Sequence, residues 1–158
     1  MGKQLKANTM NRTNVGSEAD LRLDSFLCFA IYSANHAFNR VYKPLLGRLK
    51  LTYPQYLVMA ILWERNDQTV GSLGEKLFLE SSTLTPMLKR LEALKYISRI
   101  RDQDDERQVR VRLTKPGLAL RERARAIPAC IIEATGLNPD GVAKLKEEIT
   151  KLRVSLVR

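Results

Sequence analysis

Apolar residues recur at steps of three and four over positions 20 to 49, which predicts one long amphipathic helix there. The stripe consists of Leu23, Leu27, Ile31, Ala34, Phe38, Val41 and Leu45. Asp20 or Asp24 is expected to cap its start, because a carboxylate accepts hydrogen bonds from the unpaired amides of a first helical turn. Pro44 is expected to kink this helix or to end its regular part.

The following segment has the pattern of three shorter helices, of which the last two are joined by a tight turn. The first is predicted over 55 to 64, and the second is predicted to begin at Ser72, which forms a capping box with Glu75. The third is predicted to follow the turn at 80 to 82 and to run to Lys95. Its expected inner face consists of Leu84, Met87, Leu88, Leu91 and Leu94. The last two helices together predict a helix-turn-helix.

The hydrophobic period then changes from helical to two. Residues 109 to 113 alternate between apolar and charged, which predicts a strand, and 97 to 101 is its expected partner across a polar tip at 102 to 108. Helices are again predicted over 118 to 135 and over 140 to 156. A charged hairpin directly after a helix-turn-helix predicts a winged helix, so the expected fold is mainly α, with about six helices and a small β-hairpin wing.

Composition narrows the possible partners of this 158-residue chain. Lysine and arginine exceed aspartate and glutamate by 27 − 17 = 10, which favours a polyanionic partner; the alternative is a basic surface without a partner. No apolar run is long enough to span a bilayer, and no membrane association is expected. Residues 1 to 19 are polar and lack the apolar core of a signal peptide, so we expect a disordered arm.

Cysteine and histidine usage bears on location and on metal chemistry. Two cysteines without a secretion signal indicate the reducing cytoplasm, where a thiol is free, catalytic or redox-sensing rather than a structural crosslink. With one histidine and no cluster of cysteine and histidine, no metal site and no cofactor are expected.

The helix-turn-helix and the hairpin supply candidate contacts to double-stranded DNA. If the last of the three shorter helices buries its leucines, its opposite face offers short hydroxyl side chains to base edges and cations to phosphates. Arg107 at the hairpin tip suits a narrow minor groove, and Asp105 is expected to orient it. The candidate DNA contacts are Ser81, Ser82, Thr83, Thr85, Pro86, Lys89, Arg90, Asp105 and Arg107. The alternative is an ordinary solvated face.

Cys28 is the candidate reactive thiol. It is expected within the first turns of the long helix, where the helix dipole stabilises a thiolate. Tyr42 and Tyr53 would donate phenolic hydrogen bonds to that thiolate if the fold or a dimer brings them close. The alternative is an inert cysteine in an apolar core, and from the residues alone this alternative is favoured. Cys130 lies in a second apolar run and is interpreted in the same way.

These residues resemble the MarR family of bacterial winged-helix regulators, in particular its branch that senses organic hydroperoxides. The likeness extends from Leu23 into the last helix. The branch is indicated by residues 27–33 (LCFAIYS), 42–46 (YKPLL) and 51–57 (LTYPQYL). Residues 82–92 resemble the recognition helix of the family, and the sequence from Asp105 to Arg107, followed by Leu113 and Thr114, resembles the signature of its wing.

The resemblance implies a redox-sensing repressor that binds inverted-repeat DNA as an intertwined homodimer. It implies a DNA-binding lobe over about 54–114, with dimerisation helices over about 20–50 and 115–158. Cys28 would be the thiol oxidised by an organic hydroperoxide, hydrogen-bonded by Tyr42 and Tyr53 of the other subunit. In the two-cysteine subclass a resolving cysteine then forms an intersubunit disulfide, here with Cys130. If Cys130 cannot approach, a small cellular thiol would react instead.

Three other functions compete with this one. A regulator of the same fold could respond to a small aromatic acid held non-covalently, with no thiol chemistry. A thiol peroxidase would turn over hydroperoxide catalytically, but the DNA-binding segment and the absence of a basic residue beside Cys28 argue against an enzyme. A protein that merely coats DNA would have no use for Cys28, Tyr42 and Tyr53 together.

Overall fold

The structure, a computed structural model, describes residues 21–157. The predicted N-terminal arm and the proposed cap Asp20 lie outside the described residues. A short 3-10 turn, Leu23–Ser25, precedes the first helix. The helices are α1 (Leu27–Gly47), α2 (Tyr53–Glu64), α3 (Val70–Leu77), α4 (Ser81–Ala93), α5 (Lys115–Ala124), α6 (Ile127–Thr135) and α7 (Pro139–Leu156); the strands are β1 (Gln68–Thr69), β2 (Ile97–Arg101) and β3 (Val109–Leu113). This mainly helical winged-helix fold confirms the predicted class.

The chain divides into two compact units, one up to Ala37 and one from Phe38 onward. Helix α1 begins later than predicted, because Phe26 is extended and closes the preceding 3-10 turn by donating its amide to the carbonyl of Leu23. Asp24 therefore lies in that turn and does not cap α1. Pro44 does not end the helix, which continues to Gly47.

The helix-turn-helix consists of α3 and α4, and its first helix is capped differently from the prediction. Thr69 is the N-cap of α3, and its hydroxyl accepts a hydrogen bond from the amide of Ser72 at 3.1 Å. Ser72 therefore lies inside the helix, and the predicted capping box was wrong. A reciprocal cap does occur at α2, where the amide of Thr52 donates to the side chain of Gln55 at 2.8 Å.

The wing is a three-stranded antiparallel sheet in the order β1-β3-β2. Strands β2 and β3 have the predicted bounds, and Arg99 lies opposite Val111 in their register. The short strand β1 was not predicted, since two residues cannot show an alternating pattern; it pairs Gln68 with Val111. Thus β3 is held on both sides, and Val111 at its centre is fully buried.

The core of the second unit is formed mainly by α2, the inner face of α4 and the sheet. Leu84, Leu88 and Leu91 of α4 are completely buried, as are Val58 and Met59 of α2. The spacing of these leucines at steps of three and four turns one face of α4 inward along its whole length. Its outer face is consequently left to the solvent.

The helix predicted over 118 to 135 is two helices. It is interrupted at residues 125 and 126, and Pro128 lies in the first turn of α6. Proline has no amide hydrogen with which to continue the ladder to the carbonyl of residue 124. Trp63 of α2 fixes the start of α5 by donating its indole N–H to the carbonyl of Gly117 at 2.9 Å. Among the described helices, none is both long and apolar enough to cross a bilayer.

Candidate DNA interface and thiol site

The outer face of α4 carries every candidate DNA contact that was predicted on this helix. All seven side chains are exposed: Ser81, Ser82, Thr83, Thr85, Pro86, Lys89 and Arg90. The hydroxyl groups lie in the first turns, and the two cations follow one turn later. The hydroxyl of Thr85 donates to the carbonyl of Ser81 at 2.8 Å, which leaves its oxygen free to accept. Hydroxyls lead and cations follow, which is the arrangement expected of a recognition helix.

A groove of about 380 Å³ separates the leading end of α4 from the wing. Ser81 and Thr85 line it from the helix, and Arg107 and Gln108 line it from the end of the wing tip. The structure thus brings Arg107 to the same surface as the leading turns of α4, although these residues are more than twenty positions apart in the sequence.

The tip of the wing is folded around Asp105. Its carboxylate accepts hydrogen bonds from the backbone amide of Arg107 at 3.1 Å and from the side-chain amide of Gln108 at 3.1 Å. The expected orienting role of Asp105 is therefore directed at the backbone of Arg107 and not at its guanidinium. No carboxylate within residues 21–157 pairs with that guanidinium, which leaves its charge available to a phosphate or a groove.

The first strand of the wing is tied to the recognition helix by an ion pair. The Glu92 carboxylate accepts from the Arg99 guanidinium at 2.7 and 3.0 Å and from the Arg99 backbone amide at 3.1 Å. These hydrogen bonds lower the pKa of Glu92 below its usual range. Both guanidinium nitrogens donate to one carboxylate oxygen and the backbone amide donates to the other, so these three charge-assisted hydrogen bonds fix β2 against the end of α4.

The two predicted thiol partners, Tyr42 of α1 and Tyr53 of α2, lie side by side. Their ring centroids are 4.5 Å apart. Tyr56 completes a cluster, with its ring centroid 6.0 Å from that of Tyr42. The pairing of either tyrosine with Cys28 stays a prediction.

The environment of the cluster raises the pKa of two of its phenols, those of Tyr42 and Tyr56. Partial burial, together with the neighbouring Tyr53 and Tyr56, raises the pKa of Tyr42 to about 12. Burial, and to a smaller extent the neighbouring Tyr53, also raises the pKa of Tyr56. Protonated phenols are hydrogen-bond donors, so the pair is suited to binding an anion such as a thiolate.

Both cysteines are free thiols with exposed side chains. Cys28 is the second residue of α1, as near to the start of a helix as the prediction placed it. Cys130 lies in α6, next to the buried Ile131. Exposure removes the main premise of the inert-core interpretation for the isolated chain, since that interpretation rests on burial. Among residues 21–157, no three His, Cys, Asp or Glu side chains are clustered so as to hold a metal ion.

The prediction missed two groups of residues. Tyr56 follows Tyr53 by three positions, and this helical spacing was a usable signal that both belong to one face. Asp67, Asp102 and Arg110 form an ion-pair network at the base of the wing. Hydrogen bonds from Arg110 and Arg112 lower the pKa of Asp67 to about 2. No local pattern announces this network, because Asp67 and Arg110 are 43 positions apart.

Comparison with known proteins finds transcriptional regulators as relatives of this chain. The family of transcriptional regulators SarA/Rot matches residues 40–123. The regulator TtmR of Methylorubrum extorquens is 43% identical over 96% of this chain and 76% of its own length. The organic hydroperoxide resistance transcriptional regulator of Bacillus subtilis is 41% identical over 86% of this chain and 92% of its own length.

Solved structures of AbfR of Staphylococcus epidermidis share the fold of this chain. Reduced AbfR bound to DNA matches with a TM-score of 0.74 and 37% identity, over 89% of this chain and 98% of AbfR. Disulfide-formed AbfR matches with a TM-score of 0.62 and 38% identity, over 85% of this chain and 94% of AbfR.

Proposed function

Because this chain belongs to the SarA/Rot and MarR family of winged-helix transcriptional regulators, we propose that it is a repressor that binds inverted-repeat promoter DNA as a homodimer. We propose further that an organic hydroperoxide oxidises Cys28 and thereby releases the DNA. The observation that carries the sensing part is the side-by-side placement of the Tyr42 and Tyr53 rings, with centroids 4.5 Å apart. A regulator without thiol chemistry has no need of paired phenolic donors. The protein would act in the cytoplasm, where thiols are kept reduced.

In the proposed complex α4 enters the major groove and the wing tip enters the adjacent minor groove. The exposed hydroxyls of Ser81, Ser82 and Thr83 would approach base edges, and Lys89 would contact phosphates. Thr85, Pro86, Arg90, Asp105 and Arg107 complete the proposed interface. The net charge of +10 supports this assignment, because phosphate neutralisation releases counterions.

Helix α7 supports the proposed homodimer. Its apolar residues follow a heptad-like spacing: Val142, Leu145, Ile149, Leu152 and Leu156. None of them is buried in the single chain, and Leu145 and Ile149 are 48% and 49% exposed. An apolar seam at steps of three and four is the pattern by which two helices pack against each other. We propose that a second copy covers this seam.

The proposed sensing reaction begins with attack by the Cys28 thiolate on the terminal oxygen of the hydroperoxide. The O–O bond breaks, an alcohol leaves, and Cys28 becomes a sulfenic acid. The partner subunit's Tyr42 and Tyr53 would stabilise the thiolate by hydrogen bonding. The partner subunit's Cys130 would then attack the Cys28 sulfur, which forms a disulfide and expels water. Oxidation of two thiols thus balances reduction of one hydroperoxide.

Formation of the disulfide would draw Cys28 away from the tyrosines and shift the helices that carry the two DNA-binding lobes. The lobes would then no longer match the spacing of the half-sites, which is a two-state release.

The chemistry is tested by treating the reduced protein with cumene hydroperoxide and analysing it by non-reducing electrophoresis and mass spectrometry. Wild type is expected to give a covalent dimer, while Cys130→Ser is expected to give a sulfenic acid at Cys28 and no dimer. A wild-type protein that stays a reduced monomer on the gel, with an unmodified Cys28, would refute the proposed sensing reaction. A mixed disulfide between Cys28 and an added small thiol would show that the small thiol, and not Cys130, resolves the sulfenic acid. The proposed oxidation of Cys28 would then still stand.

One cavity favours a second candidate, a regulator released by a non-covalent aromatic acid. It measures about 380 Å³, and its lining includes Tyr56, Trp63, Arg121, Arg125 and Glu122, the last of which pairs with Arg125 at 3.6 Å. Aromatic walls and guanidinium groups together suit an aromatic carboxylate. Release of DNA from Cys28→Ser by benzoate would favour this candidate over the thiol switch.

A further inference from the structure

Arg110 connects two separate parts of the wing through one guanidinium. Its Nε donates to the carboxylate of Asp67 at 2.7 Å, and its Nη1 donates to the carboxylate of Asp102 at 2.9 Å. Its Nη2 also donates to the backbone carbonyl of Asp67 at 3.2 Å. Every nitrogen of the side chain is therefore hydrogen-bonded, which is the geometry in which a surface arginine holds one fixed position.

Asp67 is the fixed end of this connection. It lies in the corner between α2 and β1 with a left-handed backbone, at φ 61°. The neighbouring Asn66 holds the same corner to the sheet, because its side-chain oxygen accepts from the amides of Asp67 and of Leu113, each at 2.8 Å. The corner thus belongs to the body of the DNA-binding fold.

Asp102 is the end of this connection in the wing tip, which begins at this residue. Its side chain accepts hydrogen bonds from the amides of Asp104 at 2.9 Å and of Asp105 at 3.3 Å. Asp105 in turn accepts from the amide of Arg107. An unbroken series of polar contacts therefore leads from the corner at Asp67, through Arg110, to the backbone of Arg107.

We propose that Arg110 is the positioning residue of the wing: it sets the place of the tip relative to α4 so that Arg107 can enter the minor groove. This inference rests on the DNA-binding part of the proposed function and not on the thiol chemistry. Arg110 itself does not contact DNA in this account and acts only through Arg107.

Arg112 provides a matched control on the same strand. It pairs with Asp67 alone, at 3.1 Å, and its side chain is more exposed than that of Arg110. Without Arg110, Asp67 keeps Arg112, whereas Asp102 loses the one cation that pairs with it among residues 21–157. Removing Arg112 leaves the connection to the tip intact. The two arginines therefore separate a positional effect from a general loss of positive charge.

The test measures DNA affinity by fluorescence anisotropy, on a labelled duplex selected by the wild-type protein from a random library. Arg110→Ala is expected to weaken binding roughly as much as Arg107→Ala, by about 5- to 150-fold. The variant lacking both arginines should bind within about twofold of Arg107→Ala alone, because residues that act through one another are not additive. Arg112→Ala should bind far better than Arg110→Ala. Arg110→Lys should not restore affinity, since one ammonium nitrogen cannot take the separate positions of Nε and Nη1 that reach Asp67 and Asp102.

Salt titration separates positioning from direct contact. Loss of one phosphate or groove contact lowers the slope of log affinity against log salt by about 1. The double variant should show the slope of Arg107→Ala, while a further decrease, or fully additive losses of affinity, would overturn the inference. A circular dichroism spectrum at the assay temperature, together with a thermal unfolding curve, establishes that each variant is folded under the assay conditions. A wild-type protein that selects no duplex would contradict the proposed function itself.

Discussion

The rings of Tyr42 and Tyr53 lie with their centroids 4.5 Å apart, although eleven positions and a helix boundary separate them in the chain. Two phenols held in one place form a preorganised pair of donors. If this pair binds the Cys28 thiolate, removal of its hydroxyls must change the rate of Cys28 oxidation by peroxide more than it changes the affinity for DNA.

Tyr42→Phe is expected to slow oxidation of Cys28 at least about tenfold, because a hydrogen bond to a charged group contributes about 1.5–3 kcal/mol. The rate of sulfenic acid formation is followed by mass spectrometry of quenched samples, and DNA affinity of the reduced protein should not change. Tyr96→Phe is the control, because the hydroxyl of Tyr96 donates to the carbonyl of Leu49 and not to the pair. An unchanged oxidation rate in Tyr42→Phe would exclude the tyrosine from the thiol site.

The pKa of Tyr42 makes a prediction at alkaline pH. In the unfolded chain the pKa of Tyr42 lies near its ordinary value of 10.0, whereas in the folded protein it lies at about 12. The protonated phenol is therefore favoured by the fold, and this contribution to stability is present below pH 10 and is lost as the pH rises to about 12. Titration by phenolate absorbance should show one fewer late-ionising tyrosine in Tyr42→Phe than in wild type, since Tyr56 also has a raised pKa. Ionisation of every tyrosine near pH 10 would contradict the structure of the cluster.

Gly117→Ala is expected to destabilise the fold by about 3 kcal/mol or more, as overpacking against backbone does. A Cβ at this position would lie 1.9 Å from the carbonyl oxygen of Tyr96. Gly47→Ala is the matched control, since its Cβ would meet nothing within 4 Å; a change of less than about 1 kcal/mol is expected there. Urea denaturation measures both free energies of unfolding. Equal stabilities of the two variants would show that α5 does not pack closely against Tyr96.

Ile149→Glu is expected to convert the protein to monomers and to weaken binding to an inverted repeat, because a charge would be placed in the apolar seam of α7. The side chain is 49% exposed in the single chain, so the monomer should stay folded. Sedimentation equilibrium measures the association. Lys144→Glu, an exposed position of α7 outside the seam, should stay dimeric. An undisturbed dimer in Ile149→Glu would remove α7 from the interface.

Short-range periodicity accounts for what could be predicted from the sequence. The strict alternation in β3 and the leucine spacing in α4 allow only one face to be buried. Strands β2 and β3 and the buried leucines of α4 were therefore placed correctly, and the candidate contacts on α4 are exposed as predicted. The resemblance to MarR-type regulators supplied the roles of Cys28 and Tyr42, which periodicity alone does not provide.

Two causes account for the features that could not be predicted. Neighbouring residues can compete for one structural role, and some contacts join residues that are distant in sequence. Thr69 and Ser72 are both good caps, and only the structure shows that Thr69 is the one used. The break between α5 and α6 depends on one missing amide at Pro128. The network of Asp67 and Arg110 depends on a contact across 43 positions, for which a single sequence carries no periodic signal.

Oxidation of Cys28 is proposed to release DNA, and the fluorescence anisotropy of a labelled duplex measures this release. The reduced dimer is bound to its selected labelled duplex and titrated with cumene hydroperoxide, beside Cys28→Ser. Release of wild type near one equivalent of peroxide per subunit, with Cys28→Ser remaining bound, is the predicted result. Wild type that remains bound after Cys28 has been shown to be oxidised, or equal release of the Cys28→Ser variant, would contradict the thiol switch.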